Sequence, residues 1–430
     1  MIAISQLLHQ LDSGAYERRL RSVYCCEDTA AVHTRIRLVL DGFCRTFSAD
    51  AETPVTLYSA PGRTELGGNH TDHQHGRVLA ASVNLDLLAC AAPNGSQIVR
   101  IQSEGFPMIA VDLETGAPVP AEAGTSAALV RGVAARIRSL GHPVGGFDAY
   151  LTSNVLTGSG LSSSAAFEVL IGVMVNDLFC RGVLDPIQIA QISQYAENVF
   201  FGKPCGLMDQ MGSAVGGAVA IDFKDPAAPI VRQIDIDLHG YGYALCIIDS
   251  GADHADLTDE YAAIPAEMGA VARFFGQQVL RDVDPVRFRA DLSAVRAQVG
   301  DRAVLRALHF FDDDLRAAAE ADALEAHDFD RFLQLVLASG YSSFTLLQNV
   351  CCTGAVSEQA VAYALAVAAD ALGGAGASRV HGGGFAGTIQ AFVPLAQLES
   401  FRSRMDAALH AGACHVLSIR PVGGIALISE

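Results

Sequence analysis

Three glycine-rich segments, each at the end of a strand-like aliphatic run, constrain the fold of this 430-residue chain more than any other feature. They read GRTELGGNHTDHQHG at residues 62–76, LTGSGLSSSAA at 156–166 and HGGGFAG at 381–387. Glycine lets the backbone approach a neighbour closely and adopt conformations that other residues avoid. One such loop alone indicates a tight turn, but three loops at strand ends form a stronger pattern than any one of them.

Chain length and the order of the elements predict two domains, because 430 residues exceed one ordinary core. The first fifty residues are helical in pattern, and residues 260–372 are mostly alanine-rich helical pattern. Aliphatic runs bounded by turn residues predict the strands, at 78–92, 97–104, 146–156, 217–223 and 243–250, with a strand–loop–strand over 379–394. The polar segment KDPAAP at 224–229 is the predicted junction, so the domains are expected to span 1–225 and 226–430.

The balance of charge argues against nucleic acid and anionic membranes as partners. Asp and Glu number 47 against 29 Lys and Arg, which gives a net charge of −18. Long-range attraction to nucleic acid or to an anionic membrane is therefore disfavoured, although a local pocket can still hold a phosphate. The N-terminal residues lack the order of a signal peptide, and no apolar stretch is expected to reach the roughly 18–20 residues that span a bilayer. We therefore expect a cytoplasmic protein.

The glycine–serine loop at 158–164 suits an anion such as a nucleotide phosphate. Its glycines permit close backbone approach, and the helix that follows presents unpaired N–H groups and a favourable dipole. The hydroxyls of Ser162–Ser164 can add hydrogen bonds or bind Mg²⁺. The alternative is a plain serine N-cap after a glycine turn. A Walker A loop is excluded, because Gly202-Lys203 is followed by Pro204.

Two carboxylates suggest phosphoryl transfer. Asp209 lies in the glycine-punctuated loop GKPCGLMDQMGSAVGG, twelve positions after Glu197. One carboxylate can hold a metal ion while the other orients or deprotonates an attacking hydroxyl. The alternative is that Asp209 caps a helix and Glu197 is a solvated helix residue.

The segment at 62–76 places three histidines and Asp72 within six positions. A metal site is one interpretation, but it needs a ligand from a second segment, for which His381 is the most tempting partner. A solvated turn is the second interpretation. Recognition of a hydroxyl-rich ligand is the third and is favoured, because Asn-His-Thr-Asp supplies dense donors and acceptors from consecutive positions.

Taken together, these segments resemble the motifs of the GHMP kinases and, within them, of the galactokinase family. GRTELGGNHTDHQHG is similar to the signature GRVNLIGEHTDYNGG, and LTGSGLSSSAA is similar to the ATP loop PxGxGLSSSAA. RVHGGGFAG resembles RMTGGGFGG, and AENVFFGKPCGLMDQ resembles AEHxFxGxPCGIMDQ. The four motifs keep the family's order and span most of the chain.

The resemblance implies a two-domain α+β fold with the active site in the interdomain cleft, and transfer of the ATP γ-phosphoryl group to the anomeric hydroxyl of galactose. It implies that Asp209 is the catalytic acidic residue, Arg63 is its electrostatic partner, and Ser164 and Glu197 hold Mg²⁺. The implied sugar-binding residues are Asn69, His70, Asp72, Gly206 and Tyr261. The implied ATP-binding residues are Gly158, Ser159, Gly160, Leu161, Ser162, Ser163 and Ser164. Sugar and ATP are the implied partners; the oligomeric state is left open, and a monomer is compatible with the sequence.

Several positions depart from the family motifs. Leu156 stands in place of proline and Asn198 in place of histidine, while Ala386 and Thr388 alter the third motif without removing its glycine triplet.

Two further departures lie in the sugar-binding segment, where Asn69 replaces a glutamate and His73 a tyrosine. Loss of the negative charge at Asn69 leaves a kinase for a related sugar, such as galacturonate or arabinose, as an alternative. A non-catalytic galactose sensor is a second alternative. Retention of Asp209, Arg63, Ser164 and Glu197 together favours an enzyme.

Overall fold

The computed structural model describes residues 1–156, 160–252, 258–352, 354 and 356–429. Within these ranges the strands are β1 (Ile2–Ala3), β2 (Pro54–Gly67), β3 (Arg77–Pro93), β4 (Ile98–Ser103), β5 (Ile109–Asp112), β6 (Phe147–Ser153), β7 (Ala218–Asp222), β8 (Ile230–Ile234), β9 (Tyr243–Asp249), β10 (Ala377–Val380), β11 (Thr388–Pro394), β12 (Cys414–Leu417) and β13 (Ile425–Ile428). The helices are α1 (Ile4–Asp12), α2 (Glu17–Tyr24), α3 (Ala30–Phe47), α4 (Ser126–Ser139), α5 (Ser163–Cys180), α6 (Pro186–Tyr195), α7 (Met208–Val215), α8 (Thr258–Phe274), α9 (Pro285–Ala290), α10 (Leu292–Val299), α11 (Asp301–Glu325), α12 (Phe329–Ser342), α13 (Ala360–Leu372) and α14 (Leu398–Ala408).

The larger sheet contains strands from both ends of the chain. Its order is β1-β2-β3-β6-β4-β5, with β13 paired to β2 and the β7–β8 hairpin paired to β3. The segment 224–229, predicted as the domain junction, instead connects the two antiparallel strands of that hairpin. The last strand also returns to this sheet, where Ile425 pairs with Ser59. Sheet membership therefore does not follow the predicted boundary at 225/226.

Helices cover both faces of the larger sheet. Leu88 and Cys90 belong to the apolar cluster formed with α1, α2 and α3, whereas Ala89 and Ala91 belong to the cluster formed with α4, α5 and α7. All four residues are fully buried. Because successive strand residues point to opposite faces, a strand covered on both sides is apolar throughout. This explains the aliphatic-rich run that predicts β3.

The smaller sheet has the order β10-β11-β9-β12 and is also covered on both faces. Cys246 and Ile248 of β9 pack in a cluster with α13 and α14, while Leu245 and Ile247 face the cluster that contains α12. The 25-residue helix α11 packs against α12 and against β3 of the larger sheet. Helix α11 therefore connects the larger sheet to the helix α12 that covers the smaller sheet.

The first half of the segment at 62–76 is strand and not loop. Gly62 to Gly67 complete the 14-residue strand β2, which pairs with β3. A short 3₁₀ turn at Asp72–Gln74 and a left-handed His75 (φ 59°) then reverse the chain into β3. The glycines and polar residues predict a turn locally, but pairing with a long neighbouring strand extends β2 through them.

Helix α5 corrects one expectation from the sequence. In the described part of the chain it is a helix long and apolar enough to cross a membrane by length and composition alone, with 18 residues and a mean hydropathy of 1.4. However, 56% of this stretch is buried inside the protein, where it packs against β2, α6 and α7. A buried core helix of a soluble protein has the same composition.

Candidate active site

A cleft forms where β2, the turn after it, the N-termini of α7 and α8, and the loop between β10 and β11 meet. Its wall consists of Arg63, Glu65, His70, Asp72, His73, Lys203, Pro204, Cys205, Gly206, Met208, Asp209, Tyr261, Gly382 and Gly383. Most of these residues carry polar groups, so the cleft suits a ligand that makes many hydrogen bonds. Segments far apart in the sequence are thus brought to one site.

Asp209 joins the cleft wall to the glycine–serine loop. It is the second residue of α7, and its Oδ1 accepts hydrogen bonds from Arg63 Nε at 2.8 Å and Nη2 at 2.7 Å. Ser162 Oγ donates to Oδ2 of the same carboxylate at 2.5 Å. Removal from bulk water raises the pKa of Asp209, but the charge of Arg63 and the hydrogen bonds from Ser162 and Arg63 outweigh it and lower the pKa below its ordinary value. Asp209 is therefore ionised at neutral pH.

The glycine–serine loop packs against the third glycine segment. Gly160 adopts a left-handed conformation (φ 71°), and its carbonyl accepts a hydrogen bond from Arg63 Nη1. A Cβ on Gly382 would lie 3.8 Å from the Gly160 Cα, which shows how closely the two loops approach. Leu161 is buried, and its carbonyl accepts from the Arg63 backbone N–H at 3.0 Å.

The N-terminus of α5 faces the same region. Ser162 precedes the helix in a left-handed conformation (φ 55°), and Ser163 and Ser164 form its first turn. Because the first N–H groups of an α-helix have no carbonyl partner within the helix, the N–H groups of this turn can bind a ligand at the end of the loop. Gly158 and Ser159, predicted to bind ATP, lie outside the described residues.

Glu197 is nearly buried in a wide helical turn, Ala196–Phe201. Its Oε2 accepts from Gln210 Nε2 at 2.8 Å, and Gln210 Nε2 also donates to Glu168 Oε2 at 3.1 Å. Ser164 precedes Glu168 by one helical turn, so both lie on one face of α5. Gln210 thus connects Glu197 to the face of α5 that carries Ser164.

Asp72 and Gly206 are packed against each other. A Cβ on Gly206 would lie 1.9 Å from Asp72 Oδ2, so the close approach requires glycine. Tyr261 lies beside the same turn, and its hydroxyl is 3.2 Å from His73 Nε2. A Cβ on Gly383 would lie 2.8 Å from the Tyr261 ring. The structure thus brings three of the predicted sugar-binding residues to the cleft wall.

His70, the fourth of these, is a neutral imidazole with a fixed tautomer. Its Nε2 donates to the Gly383 carbonyl at 2.9 Å, and burial together with the neighbouring His73 lowers its pKa to about 3. Its ring centroid lies 5.2 Å from that of Tyr261. Because Nε2 carries the proton, Nδ1 retains its lone pair and is an acceptor.

Asn69, the fifth predicted sugar-binding residue, does not reach the cleft wall. Its exposed fraction is 0%, and its side chain contacts only protein groups of the surrounding core. The short amide therefore lies one layer behind the wall, and direct contact between Asn69 and a sugar stays a prediction. The structure places Glu65 in front of it.

Glu65 and Lys203 line the cleft although the sequence assigned neither of them. Glu65 lies two positions after Arg63 on β2, and the alternation of a strand was the signal that would have found it. Lys203 Nζ lies 3.3 Å from Glu197 Oε1, and the charges of Glu197 and Asp209 overcome burial and raise the pKa of the lysine. The lysine lies near these two carboxylates only in the folded chain, so no local sequence pattern predicts its position in the cleft.

A sequence profile and the fold indicate the class of protein. The sequence profile described as GHMP kinases N terminal domain matches residues 128–217, from α4 to the residues after α7. The crystal structure of L. major mevalonate kinase in complex with R-mevalonate is similar to 86% of this chain and 97% of that chain, with a TM-score of 0.57 and 14% identity. These matches show a GHMP kinase N-terminal domain within the chain and the predicted α+β fold of the GHMP kinases.

A second sequence profile and one close relative narrow the class. The profile described as Galactokinase galactose-binding signature matches residues 41–93. The galactokinase of Streptomyces coelicolor is 32% identical over 363 residues, which are 83% of this chain and 89% of that protein. The chain belongs to the galactokinase family. The crystal structure of Lactococcus lactis galactokinase complexed with galactose has a TM-score of 0.76 at 24% identity and covers 90% of this chain and 98% of that chain.

Proposed function

We propose that this chain transfers the γ-phosphoryl group of ATP to the anomeric hydroxyl of galactose, giving galactose 1-phosphate and ADP. The observation that carries the proposal is the position of Asp209. Its carboxylate is held by Arg63 from the sugar side of the cleft and by Ser162 from the glycine–serine loop. A hydroxyl bound against this carboxylate lies next to the loop that suits the phosphates of ATP.

The ionised Asp209 accepts a hydrogen bond from the anomeric hydroxyl and orients its oxygen towards the γ-phosphorus. As the new O–P bond forms and the bond to ADP breaks, the hydroxyl becomes more acidic and its proton passes to the carboxylate. Arg63 keeps Asp209 in place and balances its charge throughout. The N–H groups at the start of α5 stabilise phosphate charge through the helix dipole.

Mg²⁺ belongs to the proposal, with Ser164 and Glu197 as its protein ligands. Ser164 and Glu197 would hold the ion, because a hydroxyl and a carboxylate are hard oxygen donors of the kind that Mg²⁺ prefers. Glu197 is held in place by Gln210, as a ligand must be. When bound with ATP, Mg²⁺ neutralises phosphate charge during transfer.

The proposal also covers the partners of the protein, its location in the cell and its oligomeric state. Sugar and ATP are the partners, and the excess of acidic residues supports neither nucleic acid nor an anionic membrane as a further one. Because ATP is the co-substrate, we place the protein in the cytoplasm. The oligomeric state is left open, and a monomer is compatible with the sequence.

A sugar panel with ATP and Mg²⁺ tests this proposal. Galactose, galacturonate, arabinose and glucose are offered separately, and the products are identified by mass. A galactose phosphate as the main product is expected. Preference for galacturonate or arabinose would contradict the choice of substrate, and sugar binding without any phosphorylation would indicate the non-catalytic sensor.

A further inference from the structure

The side chain of Asn69 has no capacity left for a ligand. Its Nδ2 donates to Glu65 Oε1 at 3.0 Å and to the Gly382 carbonyl at 2.8 Å. Its Oδ1 accepts from Ser343 Oγ at 3.2 Å and from Asn349 Nδ2 at 2.8 Å. An asparagine side chain has two N–H donors and two acceptor lone pairs, and all four are used here. A sugar hydroxyl could bind Asn69 only by breaking one of these buried bonds.

The carboxylate of Glu65, in contrast, has one oxygen available. Among the described residues, the hydrogen bonds to this carboxylate come from Asn69 and Arg379 and both end on Oε1. Glu65 lines the cleft although its exposed fraction is only 2%. Oε2 therefore remains an acceptor at the cleft wall, and Asn69 and Arg379 fix the orientation of the group from behind.

The positions of carboxylate and amide are exchanged relative to the family signature GRVNLIGEHTDYNGG. That signature has asparagine where this chain has Glu65, and glutamate where it has Asn69. The exchange moves the longer, charged side chain to position 65, from which it reaches the cleft. Gly67 replaces the isoleucine between them, and a Cβ there would lie 1.5 Å from Glu320 Oε2.

We propose that Glu65 is a specificity-determining carboxylate of this kinase and accepts a hydrogen bond from the sugar hydroxyl at C6, at the end of a hexose far from its anomeric hydroxyl. This inference rests on the proposed function. Pairing with β3 is regular from Arg63 to Glu65, so both side chains lie on one face of β2, roughly 6.5–7 Å apart along the strand. A hexose whose anomeric hydroxyl lies at Asp209 and Arg63 can therefore extend its far end towards Glu65.

This assignment predicts which sugars the cleft rejects. A carboxylate at the C6 end of the site repels a uronic acid, because two like charges would be desolvated together. The loss of charge at position 69 therefore does not open the site to galacturonate. A sugar that lacks the C6 hydroxyl leaves the Glu65 carboxylate desolvated without its partner and binds weakly for that reason.

Two sugars and four proteins test the inference. We would measure kcat/KM for galactose and for 6-deoxygalactose in the wild type, Glu65→Gln, the exchange variant Glu65→Asn/Asn69→Glu, and Asn69→Glu alone. The wild type is expected to prefer galactose, and Glu65→Gln to reduce that preference by about tenfold or more, as for loss of a charge-assisted hydrogen bond. Asn69→Glu sets two carboxylates against each other and is expected to lose sugar binding, which the exchange variant restores.

Glu320→Gln is the matched control. Glu320 is a second buried carboxyl beside Arg379, and it does not line the cleft. Its replacement should leave the preference unchanged. If Glu65→Gln does not fold, the role of Glu65 is tested by comparing kcat/KM for galactose between the exchange variant and Asn69→Glu.

The possible failures are distinguishable. A wild type that phosphorylates galactose, with the same preference in Glu65→Gln and no rescue by the exchange, overturns the role of Glu65 alone. A wild type that phosphorylates neither sugar overturns the proposed function and this inference with it.

Discussion

Arg63 binds Asp209 through two nitrogen atoms that share one carboxylate oxygen, Nε at 2.8 Å and Nη2 at 2.7 Å from Oδ1. The other oxygen, Oδ2, accepts only from Ser162 among the described residues and keeps a lone pair for a ligand. The arginine therefore fixes the carboxylate without occupying the oxygen that faces the glycine–serine loop.

The first prediction follows from this pair. Asp209→Asn keeps the size of the side chain but cannot receive the proton of the attacking hydroxyl, so kcat should fall by roughly 10²–10⁴-fold. Calorimetry should show galactose and ATP binding close to wild type. Near-normal turnover in this variant would remove Asp209 from the reaction.

Glu197→Gln tests the proposed metal ligand. Loss of one charged oxygen ligand should raise the Mg²⁺ concentration for half-maximal rate by about tenfold, while the KM for galactose stays unchanged. Rates are measured over a range of free Mg²⁺ at saturating ATP and sugar. An unchanged Mg²⁺ titration points to a different ligand.

Gly206→Ala tests the packing of the sugar wall. The added Cβ would lie 1.9 Å from Asp72 Oδ2, so Asp72 must move and the KM for galactose should rise by about tenfold. Gly116→Ala is the matched control, because a Cβ there meets no atom within 4 Å among the described residues. Equal KM values in the two variants would show that Asp72 does not bind the sugar.

The pH dependence of sugar binding should follow the ionisation of the Glu65 carboxyl group. Burial raises its pKa to about 7 against the opposing charges of Arg379 and Arg63. The carboxylate is the form that accepts a hydroxyl, so the KM for galactose should fall as pH rises from 6 to 8. His70, whose pKa is about 3, stays neutral over this range. In Glu65→Gln the KM should be flat, and a slope that persists there would assign the titration to another group.

Local motifs made much of the site predictable from the sequence. The glycine–serine loop and the start of α5 at Ser163 follow from glycines and an apolar run that are adjacent in the chain. Helix α6 begins at Pro186 with Asp185 as its cap, and both residue types are typical of a helix start. Such features depend on residues that are adjacent in the chain, so they can be predicted from the sequence alone.

The position of Asn69 was not predictable in the same way. Its partners Ser343 and Asn349 lie 274 and 280 residues away, and they decide that the amide faces the core. The return of β13 to pair with β2 is similarly long-range, as is the pairing that turns segment 224–229 into a hairpin connection. These outcomes depend on tertiary contacts that override local preference.

The most direct test of the central claim is the reaction of the wild type with galactose and Mg²⁺-ATP, followed by identification of the phosphorylated carbon by ³¹P–¹H NMR. We predict one ADP for each galactose phosphate, with phosphorus coupled to the proton at C1. Phosphate on any other hydroxyl, or ATP hydrolysis without a sugar phosphate, would contradict the claim that Asp209 directs the anomeric hydroxyl of galactose at the γ-phosphate.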